Sequence, residues 1–171
     1  MPILFRWLLR LSILMVGLAV LTATGLWYFA TRSLPDYAET HPVGGITAPV
    51  EIVRTAEAVP HIFGATDADV FFALGFAHAQ DRLWQMTMLR RTVQGRLSEI
   101  LGARTLKLDE LMRRLDLYNL AGDSLAAQDG PTRAALDAYA AGVNAWITRV
   151  NDGARGRGAP EFFLFSKDIA Y

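Results

Sequence analysis

The sequence predicts a mostly α-helical chain with one small β-hairpin, preceded by an N-terminal membrane helix. Three observations carry that expectation. Residues 11–30 hold no charge, two short β-like runs follow a Pro/Gly-rich stretch, and three later segments repeat apolar residues at three- and four-residue steps. An uncharged run of that length suits a bilayer, and the two periodicities suit strands and helices respectively.

Leu11 to Ala30 is the first element. At about 1.5 Å per residue a helix of this length is roughly 30 Å long, the thickness of a hydrocarbon core. Arg6 and Arg10 precede it and only Arg32 follows closely, so the positive-inside rule keeps the amino end cytoplasmic and exports the rest. Trp27, Tyr28 and Phe29 stand at the far end, where aromatic rings suit the lipid–water boundary. A cleaved signal peptide is the rival reading, but it needs a shorter apolar core and an A-x-A-like site, for which Thr22-Ala23-Thr24 is a poor match. Residues 1–32 are therefore read as a signal anchor, 33–49 as a linker and 50–171 as a partial domain. Either reading of the leader places the globular part outside the cytoplasm.

Ser33 to Pro49 carries Pro35, Pro42, Gly44, Gly45 and Pro49, an irregular composition. Val50 to Arg54 and Val59 to Phe63 read as hairpin strands, with Pro60 restricting the second to an edge or start position. Thr66 followed by Asp69 is a helix-starting pattern, and the helix is expected to continue to about Leu101, with Gly102 as its stop. One apolar stripe holds Phe72, Phe76, Ala79, Leu83, Met86, Val93, Leu97 and Leu101; a second holds Val70, Ala77, Trp84 and Met88. A helix apolar on two sides is buried on two sides, which calls for more covering structure than this chain supplies. A further helix is expected over Leu106 to Ala121, and another after Asp129-Gly130-Pro131, presenting Leu136, Ala140, Val143, Ile147 and Val150. Gly153 to Pro160 reads as a Gly/Arg-rich loop, in which Arg155 and Arg157 serve solubility. Phe162-Phe163-Leu164-Phe165 is strongly apolar so near the last residue that the chain reads as truncated.

Equal numbers of basic and acidic residues, 17 of each, give zero formal net charge. No basic stripe is present, so nucleic acid is not an expected partner. Without cysteine, disulfides and thiolate metal sites are excluded. None of Ser12, Ser33, Ser98, Ser124 and Ser166 lies in a G-x-S-x-G elbow, and neither a phosphate-binding glycine loop nor an H-E-x-x-H pair occurs. His78, Asp81 and Gln85 share a helix stripe at i, i+3 and i+7. Two of them could ligate a metal or act as an acid–base pair, but a third ligand is missing, so they read as a hydrogen-bonded polar seam. His61 reads as a packed, bonded histidine of its strand. Asp109, Glu110 and Asp116 alternate with Lys107, Arg113 and Arg114, the pattern of a solvated, ion-paired helix face. Trp84, Met86 and Met88 follow the helix period and read as core.

Several runs occur in order: Val59-Pro60-His61-Ile62, Ala73 through Met86 (A-L-G-F-A-H-A-Q-D-R-L-W-Q-M), Arg90-Arg91, Gly95-Arg96-Leu97-Ser98-Glu99 and Leu101-Gly102. Together they resemble the N-terminal block of the penicillin acylase family, the N-terminal-nucleophile amidohydrolases that include acyl-homoserine-lactone and cephalosporin acylases. Gly142 to Ile147 resembles the family's next helix, so the likeness covers about Val50 to Val150. The family pattern R-D-x-x-G-V-P-H-I is altered at Thr55, where Asp is usual, and at Ala58, where Gly is usual.

The resemblance implies a share of an α+β (αββα) fold and a precursor that cuts itself into an α chain and a β chain. Its nucleophile is the first serine of the β chain, whose own amine, with a pKa near 8, acts as the base. Backbone and asparagine donors of the β chain hold the oxyanion. The implied partners are that β chain and a small linear amide, such as a β-lactam side-chain amide or an acyl-homoserine lactone. Calcium is implied for the full-length enzyme, held mostly by β-chain acids. No catalytic or metal residue is carried over to this chain, its substrate-binding residues are unassigned, and alone it is expected to be inactive. The alternative is a non-catalytic, membrane-anchored helical interaction module or truncated gene product.

Overall fold

The computed structural model describes residues 2–152 with Ala159, Glu161 and Phe162, the side chains of Pro2, Arg32 and Ser33 excepted. The rest of the expected loop at 153–160, with Arg155 and Arg157, and the apolar residues 163–165 lie outside them, as does Ser166. The fold is mostly helical with one two-stranded antiparallel sheet.

Helix α1 (Pro2–Ser33) carries no charge between Arg10 and Arg32 and has no buried residue among those described. Its segment Ile3–Thr31, 29 residues of mean hydropathy 2.0, is long and apolar enough to cross a membrane. After it, residues 34–50 run without helix or strand.

Strands β1 (Glu51–Arg54) and β2 (Pro60–Phe63) form the expected hairpin, with Glu51 opposite Phe63 and Arg54 opposite Pro60. The turn closes through Ala58 N–H to the Thr55 carbonyl at 2.9 Å and Thr55 N–H to the Val59 carbonyl at 3.1 Å. Ala58 stands at φ 62°, the left-handed position that such a turn ordinarily gives to glycine. Thr55 keeps an acceptor at the turn, its hydroxyl oxygen receiving the Val59 N–H at 3.3 Å. His61 is exposed rather than packed, because the strand alternates and Pro60 and Ile62 take the covered side.

Helix α2 (Asp67–Val93) starts as expected, Thr66 Oγ1 accepting the Asp69 N–H at 3.2 Å. It ends eight residues before the expected stop at Leu101. Gly95, at φ 63°, gives its N–H to the Thr92 carbonyl, and Arg96 gives its own to the Arg91 carbonyl. These paired bonds close a helix C-terminus on a left-handed glycine. A short helix α3 (Ser98–Leu101) and a 3-10 turn (Ala103–Thr105) follow, with Gly102 at the end of α3. The single helix expected over Leu106 to Ala121 is two: α4 (Leu106–Leu115) and α5 (Leu117–Ala126). Asp116 separates them in the left-handed conformation, φ 55°, its carboxylate accepting from the Asn119 amide at 2.7 Å. Helix α6 (Gly130–Asn151) begins at Asp129, which caps Thr132 N–H at 2.8 Å, with Pro131 in the first turn.

The core lies between α2 and α6. Phe76, Ala79 and Leu83 meet Val143, Trp146, Ile147 and Val150, with Phe162 closing one end. Phe76 and Trp146 pack edge to face at 5.4 Å. Both expected stripes of α2 face structure: Phe72, Phe76, Ala79 and Leu83 are buried on one, Ala77 on the other, while Met86, Trp84 and Met88 are half-buried. Two glycines permit the approach. A Cβ on Gly142 would fall 1.9 Å from the Phe72 carbonyl oxygen, and one on Gly75 would fall 2.0 Å from that of Tyr139. Backbone meets backbone at both points.

Candidate functional site

Asp81 and Arg54 organise the region where the family-like block of α2 faces the hairpin. Their ion pair is 2.8 Å long, with the Arg54 side chain only 9% exposed. Arg54 lies on the inward side of β1, so strand alternation aims its guanidinium at α2. There it also donates to the Gln80 side-chain oxygen at 3.2 Å and to the Ala58 carbonyl. Tyr37 donates to Asp81 at 3.0 Å and its ring lies 3.9 Å from the guanidinium carbon, a cation–π contact. Burial, then the neighbouring Asp81 carboxylate, hold the Tyr37 hydroxyl above its ordinary pKa.

Gln80 carries this network onward. With its oxygen engaged by Arg54, its amide nitrogen faces His41 Nε2 at 3.4 Å, which leaves the proton of a neutral His41 on Nδ1. His41 packs at a tilt against Phe76, 5.2 Å between ring centres, and edge to face against Trp146 at 6.1 Å. Burial, then the Arg149 charge, hold its pKa below the ordinary histidine value. Glu39 pairs with Arg149 at 3.1 Å. Asp69, 1% exposed, accepts the Thr47 N–H and hydroxyl, both at 2.7 Å, and these bonds hold its carboxyl below the usual range. Four separate fastenings, at Tyr37, Glu39, His41 and Thr47, thus tie residues 37–47 to α2 and α6.

Two grooves flank the junction. One, of about 730 Å³, has His41, Ile52, Arg54, Phe76 and Gln80 among its walls. The other, of about 890 Å³, lies among the end of α1, the hairpin tip and the middle of α2, and includes His78, Asp81, Arg82 and Trp84.

The expected seam of His78, Asp81 and Gln85 does not form. Arg82, at φ −136° and ψ 18°, interrupts the helical geometry of α2 between Asp81 and Gln85, and each of the three side chains bonds a different partner. His78 Nδ1 bonds the Tyr139 hydroxyl of α6, Asp81 serves the hairpin, and Gln85 is exposed and accepts from Arg82 at 3.3 Å. Asp109 is likewise no solvated face residue. It is 2% exposed and accepts the Leu97 and Ser98 N–H groups at 2.9 and 2.8 Å, capping α3 from another helix. Burial raises its pKa, but the Ser98 and Leu97 hydrogen bonds outweigh that and hold it below the usual range. The sequence carried no local sign of that bond, which spans eleven to twelve positions.

Ser124 donates to the Leu120 carbonyl and Ser98 engages Asp109, so neither hydroxyl is bonded to a histidine. No group of three or more His, Asp or Glu side chains is placed to hold a metal among the described residues. Asp69, Asp81, Asp109 and Asp129 are already taken up by the donors named above, a poor fit to a calcium site.

Residues 49–170 match the family model described as penicillin amidase. The chain is 40% identical over 115 residues, 67% of its length, to penicillin acylase 2 proenzyme of Pseudomonas sp. (strain SE83). It is 36% identical over 130 residues, 76% of its length, to penicillin G acylase of Escherichia coli. It is 35% identical over 152 residues, 88% of its length, to the acyl-homoserine lactone acylase QuiP of Pseudomonas fluorescens (strain Pf0-1). Among solved structures, a thermostable penicillin G acylase from Alcaligenes faecalis superposes with TM-score 0.62 at 30% identity, covering 71% of this chain and 64% of that one. The fold is similar to that of a solved penicillin G acylase chain, and the chain belongs to the penicillin amidase family. It spans 15%, 14% and 19% of the lengths of those three curated relatives.

Proposed function

We propose that this chain is the N-terminal, α-chain share of an exported acylase that hydrolyses linear amides, with the nucleophilic serine supplied by a β chain of the same precursor. The observation that carries the reading is the family match over 49–170. The coverage supports the two-chain form: the solved acylase chain is matched over 64% of its length, whereas the curated relatives are matched over 14–19%. Helix α1 acts as signal or anchor and places the remainder outside the cytoplasm. The hairpin and helices are this chain's share of an α+β (αββα) fold. In the reaction the scissile amide is attacked by the β-chain serine, and the Arg54–Asp81–Gln80 junction holds the scaffold on which that chain is seated. Either a β-lactam side-chain amide or an acyl-homoserine lactone fits this class.

The test is expression of the complete reading frame, followed by mass analysis for two chains and assay against both amide types. Two chains and release of a carboxylic acid are expected. An uncleaved product that hydrolyses neither amide would overturn the proposal.

A further inference from the structure

The two edges of the hairpin are chemically unequal. Thr55 N–H bonds the Val59 carbonyl, so Thr55 and Val59 face each other as a hydrogen-bonded pair. The register then makes Val53–His61 and Glu51–Phe63 hydrogen-bonded pairs as well, and leaves Ile52–Ile62 and Arg54–Pro60 as the non-bonded ones. At non-bonded positions the backbone groups point away from the partner strand. On β2 the outward positions are Pro60 and Ile62, and Pro60 has no N–H to give. That strand also packs against α2. On β1 the outward N–H and C=O groups belong to Ile52 and Arg54, and they have no partner among the described residues. β1 also borders the 730 Å³ groove through Glu51, Ile52 and Arg54, whereas β2 does not.

We infer that the free edge of β1 receives an extended segment of the β chain, which adds a third, hydrogen-bonded strand along the groove. The inference rests on the two-chain reading proposed above. Its physical basis is independent of that reading: a four-residue, two-stranded hairpin is marginal by itself, and an unpaired edge is a template for another chain. Strand addition supplies partners to the Ile52 and Arg54 backbone without disturbing the inward Ile52 and Arg54 side chains. The occupant is sought in the β chain because more than four-fifths of each curated relative lies outside the matched span.

Hydrogen exchange on the complete, processed protein tests it. The Ile52 and Arg54 amides are expected to be protected to within about tenfold of Val53, which the hairpin itself protects. Two substitutions then separate edge bonding from packing. Ile52→Ala removes side-chain contact but keeps the N–H, whereas Ile52→Pro removes the outward N–H while leaving the ladder to β2 intact. The proline variant is expected to weaken association of the two chains at least tenfold more than the alanine variant. A stable two-chain protein whose Ile52 and Arg54 amides exchange freely overturns strand addition and leaves the two-chain reading standing. A precursor that yields no second chain overturns both. Protection that rises with the concentration of this chain alone assigns the edge to a second copy and overturns the inference.

Discussion

Replacing Gly142 by alanine puts the closest approach of α2 and α6 to a quantitative test. The new Cβ would lie 1.9 Å from the Phe72 oxygen, 2.8 Å from its carbonyl carbon and 2.9 Å from the Phe76 nitrogen. All three are backbone atoms, so no side chain can swing aside. Reaching the 3.4 Å of ordinary contact requires the helices to part locally by roughly 1.5 Å. A gap of that size forfeits half or more of the dispersion attraction between the facing atoms, and overpacked cores typically lose about 1–3 kcal/mol, sometimes more. Alanine regains up to about 1 kcal/mol of helix propensity. The net expected loss is about 2 kcal/mol, or roughly 4–8 °C in Tm for a chain of this size. Gly122→Ala, in α5 with open space around it, is the internal control and should instead stabilise by about 0.5–1 kcal/mol. Thermal unfolding of the full chain in detergent, followed by near-UV circular dichroism of the packed Trp146, reads both. A Gly142→Ala protein at least as stable as the parent would refute the close crossing.

Other substitutions probe the turn, the cap and the junction. Ala58→Gly should stabilise the chain by about 1 kcal/mol, because glycine adopts the positive φ without the alanine penalty; an unchanged or lower Tm would count against that turn geometry. Asp109→Ala leaves two buried N–H groups without an acceptor and should cost about 2–3 kcal/mol by denaturant unfolding; a loss under about 0.5 kcal/mol would refute the cap. The folded state holds His41 below its ordinary pKa, so the unfolded chain binds the extra proton first. Stability should therefore be full above about pH 6.5 and fall as the pH drops below it, and His41→Phe should flatten that slope. Asp69 and Asp109, both depressed, add a second loss that begins as the pH falls through about 4. Unfolding midpoints measured across the two windows check both signs.

Much of the helical scaffold was legible because its signals are local. Thr66 with Asp69, and Asp129 with Pro131, marked two helix starts, and the apolar steps of α2 and α6 marked the faces that form the core. The breaks were harder to read. Gly95 stood inside a periodic apolar pattern, so Val93, Leu97 and Leu101 passed for one stripe although the chain turns between them. Asp116 carries no helix-breaking side chain, and its left-handed backbone becomes visible only in three dimensions. The junction was half legible. Asp81 and Gln80 lay in the recognised block, but their partners Arg54, Tyr37 and His41 are 26 to 44 positions away, beyond any spacing rule. Asp109 misled for the same reason, since a charged residue among charged neighbours gives no sign that it caps another helix.

The fastening at Tyr37 also sets a length. Only residues 34–36 separate the end of α1 from the Tyr37–Asp81 hydrogen bond. At about 3.5 Å per residue, so short a tether reaches on the order of 10 Å. With α1 seated in a bilayer, as proposed, the domain would ride within about a nanometre of the headgroups, and an acyl amide partitioned into the lipid would reach it by diffusing along a surface instead of through bulk water.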